Sequence, residues 1–278
     1  MNVSYSDGSV PIDWDPEHGY PENLPILYYP RTAAGTGENL GFTIIFNLEE
    51  EDYYCSSSNG KGFKIFLHSP TETPQVKEVG LFLGAGMESK IRINAEKFET
   101  DLKLRSMNKH YRHCLFDSES NLTYFSHYSK RNCEMECLTR IIHEHCGCVR
   151  HYMPKMFKNA SICGIQHVQC VEHHRRISML SDKNLENCHD LCWPSCFDLT
   201  FDPDVFSIPL SHNGFSVEQQ MIQNMTEEYA SKNIAMAHMF FKQNTFRSSV
   251  QSEFIGKTDF LCTLFILFIY YYTLLIEE

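Results

Sequence analysis

The chain has 278 residues, enough to bury a sizeable core as one large or two small domains. Its 24 Lys and Arg stand against 35 Asp and Glu, a net charge of −11, so the basic patches that phosphate backbones require are missing and nucleic acid is excluded as a partner. A mean hydropathy of −0.33 describes a folded polar body and excludes a chain made mostly of membrane spans.

The opening stretch MNVSYSDGSVPIDWDPEHGYPENLP holds neither a basic n-region nor an apolar h-region, so no signal peptide is visible. The following segments alternate strand-like runs with turn signals. NLGFTIIFNL and GFKIFLH are β-rich, SKIRINAEKF alternates with period two, and TAAGTGEN and SSSNGKG read as loops. An antiparallel sheet is predicted from them. The acidic run Glu49 to Asp52 reads as a solvated loop.

From Cys114 to Cys196 the character changes, and ten of the twelve cysteines fall inside this window. In KRNCEMECLTRIIHEHC, Met135, Leu138, Ile141 and Ile142 make an apolar stripe that puts Cys133 and Cys137 on one helix face. A second helix is predicted from Ile165 to about Leu180. Beyond Cys196, strands return in NIAMAHMFFKQ and TFRSSVQSEFI.

Three chemistries compete for such a window: metal ligation, thiol catalysis and disulfide staples. Cys-x3-Cys at Cys133/Cys137, Cys188/Cys192 and Cys192/Cys196, with Cys-x-Cys at Cys146/Cys148, differs from the Cys-x2-Cys knuckles of zinc sites. The histidines His143, His145, His151, His167, His173, His174 and His189 read as helix-surface residues, so no metal site is assigned. Gly-x-Ser-x-Gly, His-Glu-x-x-His and the phosphate-loop spacing are absent, no catalytic residue is assigned and no cofactor is called for. A dense, even cysteine set marks an oxidising compartment. Sequons at Asn2, Asn121, Asn159 and Asn224 agree with one. Ten cysteines allow about 945 pairings, and spacing does not choose among them.

The C-terminal tract FLCTLFILFIYYYTLLI, Phe260 to Ile276, contains no charged residue. As a helix it reaches about 26 Å, the lower end of what spans a bilayer, and a transmembrane segment is predicted. An oxidised, glycosylated body must cross a membrane during synthesis, so a further membrane segment is expected upstream of this sequence. Cys262 lies in the apolar tract, which leaves Cys55 without a partner in the cysteine count.

GFKIFLHSPTETP (Gly62 to Pro74), CGCVRHYMP (Cys146 to Pro154) and CWPSCFDLTFD (Cys192 to Asp202) together resemble the extracellular domain of the degenerin/epithelial sodium channel superfamily. WDPEHGYP, the YYPR and GTGENLGFTI stretches and the His-Ser-Pro are closer to its insect pickpocket branch, and the resemblance runs from Trp14 to Asp259. It implies an α+β fold: an antiparallel β-sheet palm with a disulfide-stapled α-helical thumb, followed by the C-terminal apolar segment. Residues 1–113 would be partial finger and palm strands, 114–196 the thumb, 197–259 returning palm strands and wrist, and 260–278 the transmembrane segment. The resemblance also implies a nested ladder pairing Cys114 with Cys196, Cys133 with Cys192, Cys137 with Cys188, Cys146 with Cys170, and Cys148 with Cys163.

By the same resemblance the chain is a subunit of a homo- or heterotrimeric, amiloride-sensitive sodium channel of the plasma membrane, its bulk extracellular, gated by ligand, acid or force. The family's Gly-x-Ser filter does not occur in TLFILFIYYYTLLIEE, so no selectivity-filter residue is carried over. The alternative is a membrane-tethered, disulfide-rich binding module that modulates a channel without a pore of its own.

Overall fold

The computed structural model describes residues 33–54, 59–120, 122–179, 188–211, 222, 225–254 and 256–276, with backbone only at 257 and 270–276. The first apolar run forms strand β1 (Phe42–Asn47), and the next two form β2 (Gly62–Ile65) and β3 (Leu81–Gly84), an antiparallel ribbon whose connection carries the short helix α1 (Val76–Val79). The period-two stretch becomes β4 (Met87–Thr100), a strand of 14 residues. A 3-10 turn and the short helix α2 (Lys109–Arg112) lead from it to the long helix α3 (Lys130–Cys146). After the two-residue strands β5 (Cys148–Val149) and β6 (Ser161–Ile162) come helices α4 (Val168–Met179) and α5 (Cys188–Leu191). The chain returns through β7 (Phe197–Pro209), helix α6 (Glu227–Asn233), β8 (Ile234–Phe241) and β9 (Arg247–Gln251) to helix α7 (Lys257–Ile276).

Strand β4 is the spine of the main sheet, ordered β1-β8-β4-β7 with β9 also on β4. One edge pairs with β7 from Met87 to Glu99, antiparallel. The other edge is shared: Met87–Ile93 take β8 and Glu96–Thr100 take β9, both parallel. The sheet is therefore mixed, which corrects the antiparallel expectation. Side-chain alternation reports that a strand has two faces but not which way its neighbour runs. Here α6 brings the chain back to the start of β4, where Gly86 N donates to Ile234 O at 2.6 Å, so β8 has to run alongside β4 in the same direction. Gly86 makes that junction possible: its φ is +72°, and a Cβ there would meet Ser231 O at 2.3 Å.

One face of the sheet is covered by the β2–β3 ribbon. Leu83, Ile91, Ala235 and Ala237 are buried between them, with Phe46, Phe63 and Met239 at the margin, and Phe46 stacks on Phe63 at 4.8 Å. Short side chains at Ala235 and Ala237 suit a close approach of ribbon to sheet.

The helical unit has its own core of Leu138, Ile142, Val149, Met153, Val171 and Cys188, so half of the apolar stripe read from the sequence is fully buried and Met135 and Ile141 pack against it. Helix α3 is capped by Ser129, whose hydroxyl accepts from Asn132 N at 3.1 Å, and ends on Gly147 at φ +67°. Two polar side chains inside this helix organise the loops around it. Asn132, fully buried, accepts from Thr73 N at 2.9 Å and donates to Thr71 O and His127 O, which fastens the His-Ser-Pro-Thr-Glu-Thr-Pro segment to the helix. Glu136, 4% exposed, accepts from the backbone N–H groups of Thr123, Tyr124 and Phe125 at 2.9, 2.7 and 3.2 Å.

Charge-assisted bonds of this kind contribute about 1.5–3 kcal/mol each, and orphaned buried amides add a penalty. Glu136→Ala is expected to destabilise the oxidised chain by about 3 kcal/mol and Glu136→Gln by less, read as the shift in urea midpoint under non-reducing conditions. Wild-type stability in Glu136→Ala would show that the loop does not depend on this carboxylate.

Candidate functional site

Five disulfides shape the helical unit and join it to the sheet. Cys133 on α3 bonds Cys192, and Cys137, one turn on, bonds Cys188 on α5, each with Cα atoms 5.7 Å apart, so two parallel rungs tie one face of α3 to the returning chain. Cys146 at the end of α3 bonds Cys170 on α4, and Cys148 bonds Cys163 at the far tip. At the near end Cys114 bonds Cys196, closing 82 residues of sequence separation. Crosslinks over loops of this length contribute roughly 2–5 kcal/mol each, less when nested because the loops overlap. Cys262 is free and exposed, and Cys55 lies outside the described residues.

The near end is a joint. Cys114–Cys196 sits against the end of β4, where Thr100 N donates to Cys196 O at 2.8 Å and Thr100 Oγ1 lies 3.4 Å from Cys114 Sγ. Leu115 N donates to Pro194 O and Cys196 N to Leu115 O, a short bridge that keeps outgoing and returning chains together. Gln251, the last residue of β9, enters the same joint. Its Oε1 accepts from Thr100 Oγ1 at 3.0 Å, its backbone oxygen accepts from Asp101 N at 2.9 Å, and its Nε2 donates to Arg112 O at 3.1 Å.

Arg112 fills the space behind, with a side chain only 2% exposed. Its guanidinium donates to Cys114 O at 3.0 Å, Met107 O at 2.6 Å and Arg105 O at 3.3 Å, and pairs with Glu119. This fork suits Arg, whose planar donors match several carbonyls at once. Beside it Trp193 receives the Tyr128 hydroxyl on its backbone oxygen at 2.6 Å, and its ring meets His110 edge-on at 5.0 Å. Burial pushes the Tyr128 phenol up to about 12.

Gln251 is six positions before the first residue of α7, so the joint connects the crosslinked helices to that helix through a short segment. Phe260, Leu261, Phe265 and Ile266 on α7 are 57, 63, 70 and 66% exposed. Among the described residues, no helix is long and apolar enough to cross a membrane. Of the span expected at residues 260–278, residues 260–276 lie on α7 and 277–278 fall outside the described residues.

A seam of charges lies where the helical unit meets the sheet. Glu72 approaches Arg131 at 3.6 Å, Lys130 approaches Glu134 at 3.8 Å and His189 Nε2 at 3.3 Å, and Asp198 closes the cleft. Burial raises the Glu72 and Glu134 carboxyls above the ordinary range, by more than Arg131 and Lys130 draw them back.

Of the four sequon asparagines, Asn159 stands exposed in a turn, and Asn2, Asn121 and Asn224 lie outside the described residues. The histidines do not gather into one set. His145 stacks on His174 at 4.3 Å and His143 on Phe157 at 3.8 Å. Cys146 and Cys170, next to His174, are bonded to one another and offer no thiolate.

The amiloride-sensitive sodium channel family model matches residues 20–265, a stretch that holds all five disulfides, the joint and the start of α7. The chain belongs to this family of ion channels. Among relatives of the sodium channel family, it is 35% identical to Pickpocket protein 28 of Drosophila melanogaster over 90% of its own length and 41% of that protein's. It is 24% identical to Acid-sensing ion channel 2 of Rattus norvegicus over 88% and 49%, and 23% identical to Sodium channel protein Nach of Drosophila virilis over 91% and 67%. The chain thus spans about half the length of the first two.

In this channel-family chain the joint rests on Arg112 and on two single polar residues that sequence reading did not single out, Gln251 and Thr100. Gln251→Ala removes two side-chain hydrogen bonds at buried partners and is expected to cost about 1–3 kcal/mol of stability, measured by urea unfolding with disulfides intact. At Glu119, burial is outweighed by the hydrogen bonds from Phe116 N and Arg112, so its carboxyl lies below the ordinary range. A depressed folded value means stability that is present above the unfolded carboxylate range, about pH 4.3, and lost as pH falls through the folded value. Melting temperature is therefore expected to drop below that pH in the wild type, and to drop less steeply in Glu119→Gln. Parallel profiles would remove Glu119 from the account.

Proposed function

We propose that the chain forms the extracellular body, and through α7 part of the membrane-entering region, of one subunit in a trimeric sodium channel of the plasma membrane. The observation that carries this reading is the joint at Cys114–Cys196, where the crosslinked helices, the end of β4 and the strand leading to α7 meet on one glutamine. Family membership and the names of the relatives support sodium as the permeating ion. Exposed apolar side chains on α7 favour contact with lipid or with neighbouring subunits. Glycans at Asn2, Asn121, Asn159 and Asn224 belong to the same reading, with the thumb and palm outside the cell. The helical unit would act as a lever: a stimulus at its seam with the sheet moves the ladder as one piece and shifts α7 through Gln251.

The raised carboxyls of Glu72 and Glu134 support protons as that stimulus. They take up protons at a higher pH than ordinary carboxylates because burial in the closed seam outweighs the attraction of Arg131 and Lys130, so the closed seam binds these protons more tightly than an opened, solvated one and tightens as pH falls.

Co-expression with a related full-length subunit in a heterologous cell tests the reading. Photobleaching of labelled chains is expected to count three subunits in total, this chain replacing one partner copy, and the sodium current is expected to change. Glu72→Gln combined with Glu134→Gln is expected to weaken the pH dependence of that change. A complex holding three partner copies plus this chain would instead identify an accessory module, and no association at all would refute both.

A further inference from the structure

The sheet face turned away from the β2–β3 ribbon carries a polar cluster outside the joint and the seam. Thr43, His238 and Lys90 lie in one row, because Thr43 pairs with His238 across β1 and β8, and Lys90 with His238 across β4 and β8. Glu88, two positions before Lys90, shares that face. Glu38 reaches over from the turn before β1. Gly37, at φ +85°, donates to Phe241 O at 3.1 Å, and Gly41 lies so close to β8 that a Cβ would meet Met239 O at 2.6 Å, so the turn is pressed against the sheet with Glu38 above it.

The imidazole of His238 is the unusual member. Its side chain is 9% exposed, and Nδ1 lies 2.9 Å from Thr43 Oγ1. Nε2 is buried and has no hydrogen-bond partner, although Glu88 Oε1 is 3.3 Å away, because the two are not aligned for one. Buried polar atoms without partners are rare, and a ring nitrogen aimed at carboxylates is costly unless something positive lies between them. One ligand atom each from Glu38, Glu88 and His238 fall within 4.8 Å of one another.

We infer that Glu38, Glu88 and His238 form a three-ligand site for a borderline divalent cation of the zinc class on the outer face of the sheet. With Nδ1–H donating to Thr43 Oγ1, the tautomer is set and the Nε2 lone pair faces the ion, the arrangement by which a second partner orients a ligating imidazole. Imidazole with carboxylates favours zinc over calcium, which takes oxygen ligands. Around a tetrahedral zinc ion the ligand atoms stand about 3.4 Å apart, so the two glutamates need to close inward by about 1 Å while His238 stays in place. The fourth position is open to water. Lys90 Nζ, 2.8 Å from Glu38 Oε2, competes with the ion for that carboxylate and weakens binding. A bound ion ties the turn before β1 to both β4 and β8.

The test uses the full chain, purified with disulfides intact, titrated with Zn2+ alone and with Co2+ as a spectroscopic substitute. One saturable ion per chain is expected, with the visible absorption of a low-coordinate nitrogen and oxygen site. Glu88→Gln and His238→Asn are each expected to weaken binding by at least about tenfold, and Lys90→Met to tighten it. His174→Asn, at the separate imidazole cluster, is expected to leave it unchanged. Should His238→Asn fail to fold, the opposite shifts of Glu88→Gln and Lys90→Met carry the test. Equal affinity in the wild type, Glu88→Gln and Lys90→Met would overturn the site, as would loss of binding in His174→Asn. Absence of saturable Zn2+ binding by the wild-type chain would overturn it as well.

Discussion

The disulfide between Cys114 and Cys196 sets the terms for the rest of the molecule. It sits where the chain leaves the sheet for the helices and where it comes back, so everything between those residues is a closed excursion from β4 and β7. Without it, two strand ends would have to find each other across a loop of 82 residues, at an entropic cost that hydrogen bonds alone offset poorly. With it, Thr100, Leu115 and Cys196 can satisfy each other's backbone groups at fixed distance. The rungs Cys133–Cys192 and Cys137–Cys188 extend the closure along α3, and the apolar core of Leu138, Ile142 and Val171 fills the space that they enclose.

That closure gives the sheet its working geometry. Strand β4 carries β8 on the first half of one edge and β9 on the second, and the second half ends at the joint. The joint is tied to β9 by two side-chain contacts, from Thr100 and to Arg112, and both are made by Gln251. Stiffness comes from crosslinks on one side and from a ladder of parallel strands on the other. The seam at Glu72, Arg131 and Glu134 is by contrast built of part-buried charges whose balance changes with protonation, and such contacts are the ones to be remade at modest cost.

Much of this was legible in the residues. The stripe Met135, Leu138, Ile141 and Ile142 marked α3 to within its final bounds, and the β-rich runs fell on β1, β2, β4, β8 and β9. Strand direction was not legible, because alternation carries no sense of direction and the parallel course of β8 depends on where α6 returns the chain. Spacing also left the cysteine partners open, since the choice is made by which segments lie side by side. Asn132, Glu136 and Gln251 were invisible for another reason. Each is a polar residue in a polar stretch, and only burial, which depends on the whole fold, distinguishes a network-forming side chain from a solvated one.

The central claim is that the crosslinked helices and the end of β4 move as one body hinged at Gln251. Hydrogen exchange of the oxidised chain, resolved to the amides of Thr100, Asp101, Leu115 and Cys196, tests it directly. Those four amides are expected to exchange together, at rates near those of the α3 interior. Exchange orders of magnitude faster than α3, with the disulfides intact, would mean that the joint opens independently and cannot carry motion from the ladder to α7.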